Sequence, residues 1–170
     1  LHAFDVAKLN GGLVVRRARA GETLTTLDDV ERKLVEEDVV IADDSGVISL
    51  AGIMGGLSTE VGTETTDVLF EAATWNPLDV FRGVRRHKLS SEASKRFERE
   101  VDSAITVAAV DRAAALLVEI AGGQVDSALT DVGGAPAPHA SIVIDTDLPS
   151  RIAGVDYPAG TAQRRLTQVG

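Results

Sequence analysis

Residues 51–102 read AGIMGGLSTEVGTETTDVLFEAATWNPLDVFRGVRRHKLSSEASKRFEREVD. An apolar run enters the cluster Gly52-Ile53-Met54-Gly55-Gly56. Residues 58–67 are polar and threonine-rich and read as a loop. Val68-Leu69-Phe70-Glu71-Ala72-Ala73 predicts a strand over 68–73 with a carboxylate in its middle. Asn76-Pro77 then fits a helix N-cap followed by a first helical residue. Val80, Phe81 and Val84 supply the apolar stripe of a short helix, which Gly83 weakens by up to about 1 kcal/mol relative to alanine. Leu89-Ser90-Ser91 breaks that helix, and Ser91 can cap a second one running through Arg99.

Outward from this stretch, the signals are local. Residues 1–9 mix apolar and polar side chains without a clear period. Asn10-Gly11-Gly12 is a turn, and residues 13–18 and 23–27 read as strands by β-branched content. Residues 39–42 and 47–51 are strand-like and flank Asp43-Asp44-Ser45-Gly46, which predicts a hairpin. On the other side, Asp102 can cap a helix over 103–121, read as core scaffold and ended by Gly122-Gly123. Residues 133–140 carry Gly-Gly-Ala-Pro-Ala-Pro and read as a linker. Residues 141–145 then predict a strand, and 148–153 and 161–168 predict helices. So short a tail is too small for a stable core of its own and reads as the start of a second domain.

The 170 residues suit one globular domain and part of another. Hydrophobic content is 44% and charged content 25%, an ordinary soluble composition. With no cysteine, a disulfide framework, cysteine-based zinc sites and a thiol nucleophile are excluded. No apolar run approaches the roughly 20 residues of a membrane span. The start at Leu1 rather than Met predicts a piece of a longer protein. The net charge of -9 opposes nucleic-acid binding by a general field. The charge is uneven, however. Residues 22–44 hold nine acidic and two basic side chains, whereas residues 82–99 hold seven basic and two acidic ones.

Several groups are candidates for chemistry, each with a plainer reading beside it. The glycine cluster is either a loop that needs positive φ or a place where a ligand approaches bare backbone. Its spacing is neither GxGxxG nor GK[ST]. Glu71 either faces solvent or lines a pocket and accepts a hydrogen bond from a ligand hydroxyl. The basic run either wets two helix faces, contacts phosphate, or bridges to the acidic half; Arg85, Arg86 and Lys88 are the RNA-contact candidates. Ser90 and Ser91 lack a nucleophile-elbow context and read as capping residues. His2, His87 and His139 are far apart, without metal-ligand spacing, so no metal site is expected.

Taken together, Leu1-His2-Ala3-Phe4-Asp5, Ile41-Ala42-Asp43, Ala51 to Gly56, Glu64-Thr65-Thr66, Glu71-Ala72-Ala73 and Arg85-Arg86-His87 through Arg96-Phe97-Glu98-Arg99 resemble the bacterial phenylalanyl-tRNA synthetase β subunit. The resemblance is to its B3/B4 module and runs in order over residues 1–123. Residues 141–170 more weakly resemble the start of the B5 module. The resemblance implies an α+β, sandwich-like fold. The domains it implies are an editing module at 1–132, a linker at 133–140 and a truncated B5 start at 141–170.

The resemblance also implies a part in phenylalanyl-tRNA aminoacylation: a proofreading site that hydrolyses tRNA-Phe mischarged with tyrosine. On the family's pattern, Glu71 recognises the tyrosine hydroxyl, His2 contacts the amino acid or terminal adenosine, and Gly55 forms pocket wall. Ser91 and Ala93 fall on two further pocket positions. Ser91 replaces the family's usual Thr and drops a methyl, and Glu100 stands where Gly is common. No residue stands out as a general base. The implied partners are tRNA-Phe and the α subunit of a heterotetramer, in the cytoplasm. ATP and Mg2+ would serve the whole synthetase, with no cofactor in this chain. The alternative is a non-catalytic RNA-binding or subunit-assembly module.

Overall fold

The computed structural model describes residues 1–126, 128–133 and 140–169. The chain divides into two units, Leu1–Val132 and Gly133–Gly170. The first unit contains strands β1 (His2–Asp5), β2 (Val14–Arg17), β3 (Thr23–Thr25), β4 (Glu31–Lys33), β5 (Val39–Asp43), β6 (Gly46–Leu50), β7 (Met54–Gly55) and β8 (Val68–Glu71). Helices α1 (Pro77–His87), α2 (Glu92–Phe97) and α3 (Thr106–Ala121) follow. One sheet runs β2-β5-β6-β7, and β1-β8 and β3-β4 form two-stranded ribbons. All pairs are antiparallel, and the fold is α+β.

The β5–β6 hairpin is the spine of this unit. Asp43 makes its turn: the carboxylate accepts hydrogen bonds from the Ser45 N–H and the Asn10 N–H, both at 2.8 Å. Successive side chains on a strand point to opposite faces. Val40 and Leu50 therefore face one way, with Val80 of α1 and Phe97 of α2 in the same cluster. Ile41 faces the other way, against Phe4 of β1, and the register shift between Ile41 and Ala42 brings Ile48 to that side as well, although it lies two residues from Leu50. Burying each of these side chains contributes about 1.5–3 kcal/mol. Helices thus cover one face of the hairpin and the β1-β8 ribbon the other. Trp75 packs against both clusters.

Helix α1 starts where Asn76-Pro77 predicts: the Asn76 side chain accepts from the Leu78 and Asp79 N–H groups. Gly83 is a packing requirement here, since a Cβ would lie 2.6 Å from Ile53 Cδ1. The far end of α1 is tied down by Asp38, a buried carboxylate. Asp38 accepts from the Val35 N–H at 3.0 Å, from the Arg86 guanidinium, and lies 2.8 Å from His87 Nε2. Burial pushes this carboxyl up, but His87, the Val35 N–H and Arg86 together hold it below the ordinary carboxylate value.

Helix α2 opens with a capping box in which Ser91 and Ser94 serve each other's backbone N–H groups. It stops at Phe97, short of the expected Arg99, and Glu100 just beyond has φ +68. Asp102 caps a single 3₁₀ turn, Ser103–Ile105, before α3 begins, and Gly122 ends α3 at φ +71. The core-scaffold reading of this helix is corrected by its exposure: no α3 residue is buried, and Ile120 is 80% exposed. Its apolar pattern has too few described partners to be covered.

Three strands, β1, β4 and β7, are not legible in the sequence as such. Each spans two to four residues and gains its conformation from pairing with another strand. In the second unit, α4 (Leu148–Ala153) and α5 (Thr161–Val169) form near their expected positions. The strand expected over 141–145 does not form, because no described segment pairs with it. None of this unit's described residues is buried. Residues 134–139, with most of the expected linker and His139, lie outside the described residues. Among the described residues, no helix is long and apolar enough to cross a membrane.

Glu100 is exposed and left-handed, which explains why glycine suits that position. Glu100→Gly is expected to raise stability by about 1 kcal/mol, read from the midpoint of urea unfolding. An unchanged or lowered midpoint would refute the strain.

Candidate functional site

The site begins with the register of the β1-β8 ribbon. His2 pairs with Glu71 and Phe4 with Leu69. Residues directly opposite one another share a face, with Cβ atoms about 4.5–5.5 Å apart. Phe4 is fully buried and anchors that face to the core. The His2 ring packs edge-on against it, centroids 4.5 Å apart. Next to the ring lies Gly55, on β7. A Cβ on Gly55 would fall inside van der Waals contact with the His2 imidazole. The glycine cluster therefore has two functions: Gly52 takes φ +69, and Gly55 lets a ring approach bare backbone.

Glu71 is half-buried, and among the described residues no hydrogen bond or ion pair engages its carboxylate. Burial pushes its carboxyl above the ordinary value of 4.5. Burial likewise holds His2 below the ordinary 6.5. Its Nε2 is buried and has no partner among the described residues. Such orphaned polar atoms are uncommon in folded proteins and call for an explanation.

His2, Gly55, Glu71 and Ala93 line one cleft of about 50 Å³, together with Ser49, Trp75 and Phe97. Ser91 is not in its wall. The Ser91 hydroxyl donates to the Ile53 carbonyl at 2.7 Å and caps α2, holding the helix that carries Ala93 against the glycine loop. The methyl lost relative to threonine is therefore not lost from the described wall. Trp75 and Phe97 were missed by sequence reasoning; the one available signal was that Trp75 is the chain's single tryptophan. A larger hollow of about 840 Å³ lies in the second unit, between α4 and α5, where no described residue is buried.

The basic candidates divide. Arg86 is committed to Asp38, as the bridging alternative expects. Arg85 lies over the Phe81 ring, 4.8 Å from its centroid, and Lys88 is the left-handed C-cap of α1. Both are exposed. Among the described residues, no group of three or more His, Asp or Glu side chains could hold a metal ion.

The ring-on-glycine contact makes a testable pair. Gly55→Ala should destabilise the chain by about 1–3 kcal/mol, as overpacking does. In a His2→Ala background the same change should cost much less, because the obstructing ring is gone. Equal costs in the two backgrounds, by urea unfolding, would show that the contact is not made.

A model of the B3/4 domain matches residues 1–122. The whole chain is similar to curated phenylalanine–tRNA ligase beta subunits. It is 69% identical to the one from Nocardia farcinica over 171 residues, covering 100% of this chain and 20% of that protein. It is 60% identical to that of Corynebacterium glutamicum, again over 100% of this chain and 20% of the relative. The subunit from Streptomyces avermitilis is 52% identical, with 21% of its length covered. The chain thus spans about a fifth of the length of these relatives. On the strength of the domain match and these identities, the chain belongs to the B3/4 domain family, in the form found in phenylalanine–tRNA ligase beta subunits.

Proposed function

We propose that this chain is the proofreading module of a phenylalanine–tRNA ligase, and that its cleft receives a tyrosyl ester at the 3′ end of tRNA-Phe. The observation that carries this reading is the direct pairing of His2 with Glu71, whose carboxylate is sheltered and unpartnered. A tyrosine hydroxyl donates a hydrogen bond to that carboxylate. Phenylalanine has no hydroxyl and leaves the sheltered group without a partner. Sites built to bond a hydroxyl reject the analogue lacking it by a factor on the order of 10⁴.

In the reaction, water adds to the ester carbonyl carbon and the bond to the ribose oxygen breaks. That oxygen leaves with a proton, giving tyrosine and free tRNA. His2, held below its ordinary pKa, is neutral near pH 7, and its unpartnered Nε2 can bind and orient the water or the terminal adenosine. Glu71 is occupied by the phenol, so catalysis rests on positioning more than on a strong base. Arg85 and Lys88 are free to meet the tRNA backbone, whereas Arg86 is held by Asp38.

Aminoacylation, with its ATP and Mg2+, we assign to the α subunit. The tRNA-Phe and α-subunit partners, the cytoplasmic setting and the assignment of 141–170 to a B5 start belong to the same reading. A second reading, a module that docks without hydrolysing, is favoured by the exposed apolar positions of α3.

In the intact ligase carrying this segment, Glu71→Ala should slow deacylation of Tyr-tRNA-Phe by about a hundredfold or more while aminoacylation continues. Unchanged deacylation would remove the assignment and favour the docking module.

A further inference from the structure

The Glu71 cleft measures about 50 Å³. An enclosed cavity of about 150 Å³ holds benzene, so the walls of this open cleft surround only part of a phenol ring as it stands. The missing room lies on the other side of one side chain. A second hollow of about 140 Å³, lined by Val15, Thr74, Val80 and Gly83 among others, shares Trp75, Leu50 and Ile53 with the cleft. Of these three, Leu50 and Ile53 are buried in the core cluster, whereas Trp75 is only half-buried.

Trp75 is also placed to move. It sits in residues 72–76, which have no regular structure, between β8 and α1. Its indole rests on Gly52, where a Cβ would lie 2.6 Å from Cδ1. Trp75 touches both core clusters, and the second hollow is the direction in which it meets no packed atoms.

We propose that the Trp75 indole is a movable wall between the two hollows and sets the largest ring that the Glu71 cleft admits. This rests on the proofreading reading above. When a tyrosyl group enters, the indole shifts toward the second hollow, and the phenol takes the space it leaves beside Glu71. The single tryptophan makes the motion directly observable.

The test uses the full 170-residue chain and a non-hydrolysable, amide-linked 3′-tyrosyl adenosine. Calorimetry measures binding while selectively excited indole fluorescence follows Trp75. Emission is expected to change with the ligand and to saturate on the same isotherm as the heat. Heat without any change in emission overturns the movable wall and leaves the cleft reading intact. Neither heat nor emission change overturns both. In Trp75→Phe, the smaller ring joins the hollows. The naphthylalanyl analogue should then gain at least about tenfold more affinity over the wild type than the tyrosyl analogue gains. Equal gains for both analogues, or none for the larger, would overturn the size-setting role.

Discussion

Antiparallel pairing of β1 with β8 is the constraint on which the site depends. It carries two polar side chains, His2 and Glu71, on the face that Phe4 anchors to the core. A one-residue slip in this register would send both to the opposite face. The pairing is secured beyond the ribbon itself. Asp5, at the end of β1, accepts hydrogen bonds from the Ala7 N–H and the Thr65 hydroxyl, at 3.0 and 2.8 Å. The Val6 N–H reaches the Asp67 carbonyl at 3.0 Å. The loop before β8 is thereby tied to the strand that β8 must meet.

Several carboxylates of this unit are held by partners. Asp38 and Asp43 are buried, and each is satisfied by backbone N–H groups with a hydroxyl or a cation. Glu22 is gripped by Arg16 through two hydrogen bonds, which bring its pKa down to about 2. These groups favour their charged forms and hold turns and helix ends in place. Glu71 differs: it is sheltered, has no partner among the described residues and is pushed toward its neutral form. On the proofreading reading, a ligand hydroxyl is what would satisfy it.

What could be read from the sequence was what local chemistry determines. Asn76-Pro77, the Asp43 to Gly46 turn, the Ser91 cap and the Gly122 stop each act within a few residues, and each appears as expected. The β1 strand did not show, because His2–Asp5 is too short to display a period and is specified by a partner distant in sequence. For the same reason, the convergence of His2, Gly55, Glu71 and Ala93 was legible only through family resemblance. Spacing alone left Glu71 undecided between solvent and pocket. Helix α3 misled in the other direction: its periodic apolar residues match a buried helix, yet periodicity cannot supply the surface that buries them. Glu100 shows the reverse case, a departure from pattern whose left-handed backbone accounts for the residue it replaces.

On the proofreading reading, Glu71 is held out of water for a phenol, and site-resolved carbon NMR of its carboxyl across a pH titration tests this. The free chain should titrate above 4.5. An amide-linked tyrosyl adenosine should move the midpoint down, since a phenolic O–H bonded to the carboxylate favours the charged form. The phenylalanyl analogue should not. A midpoint at 4.5, the same with either ligand or none, would contradict the account.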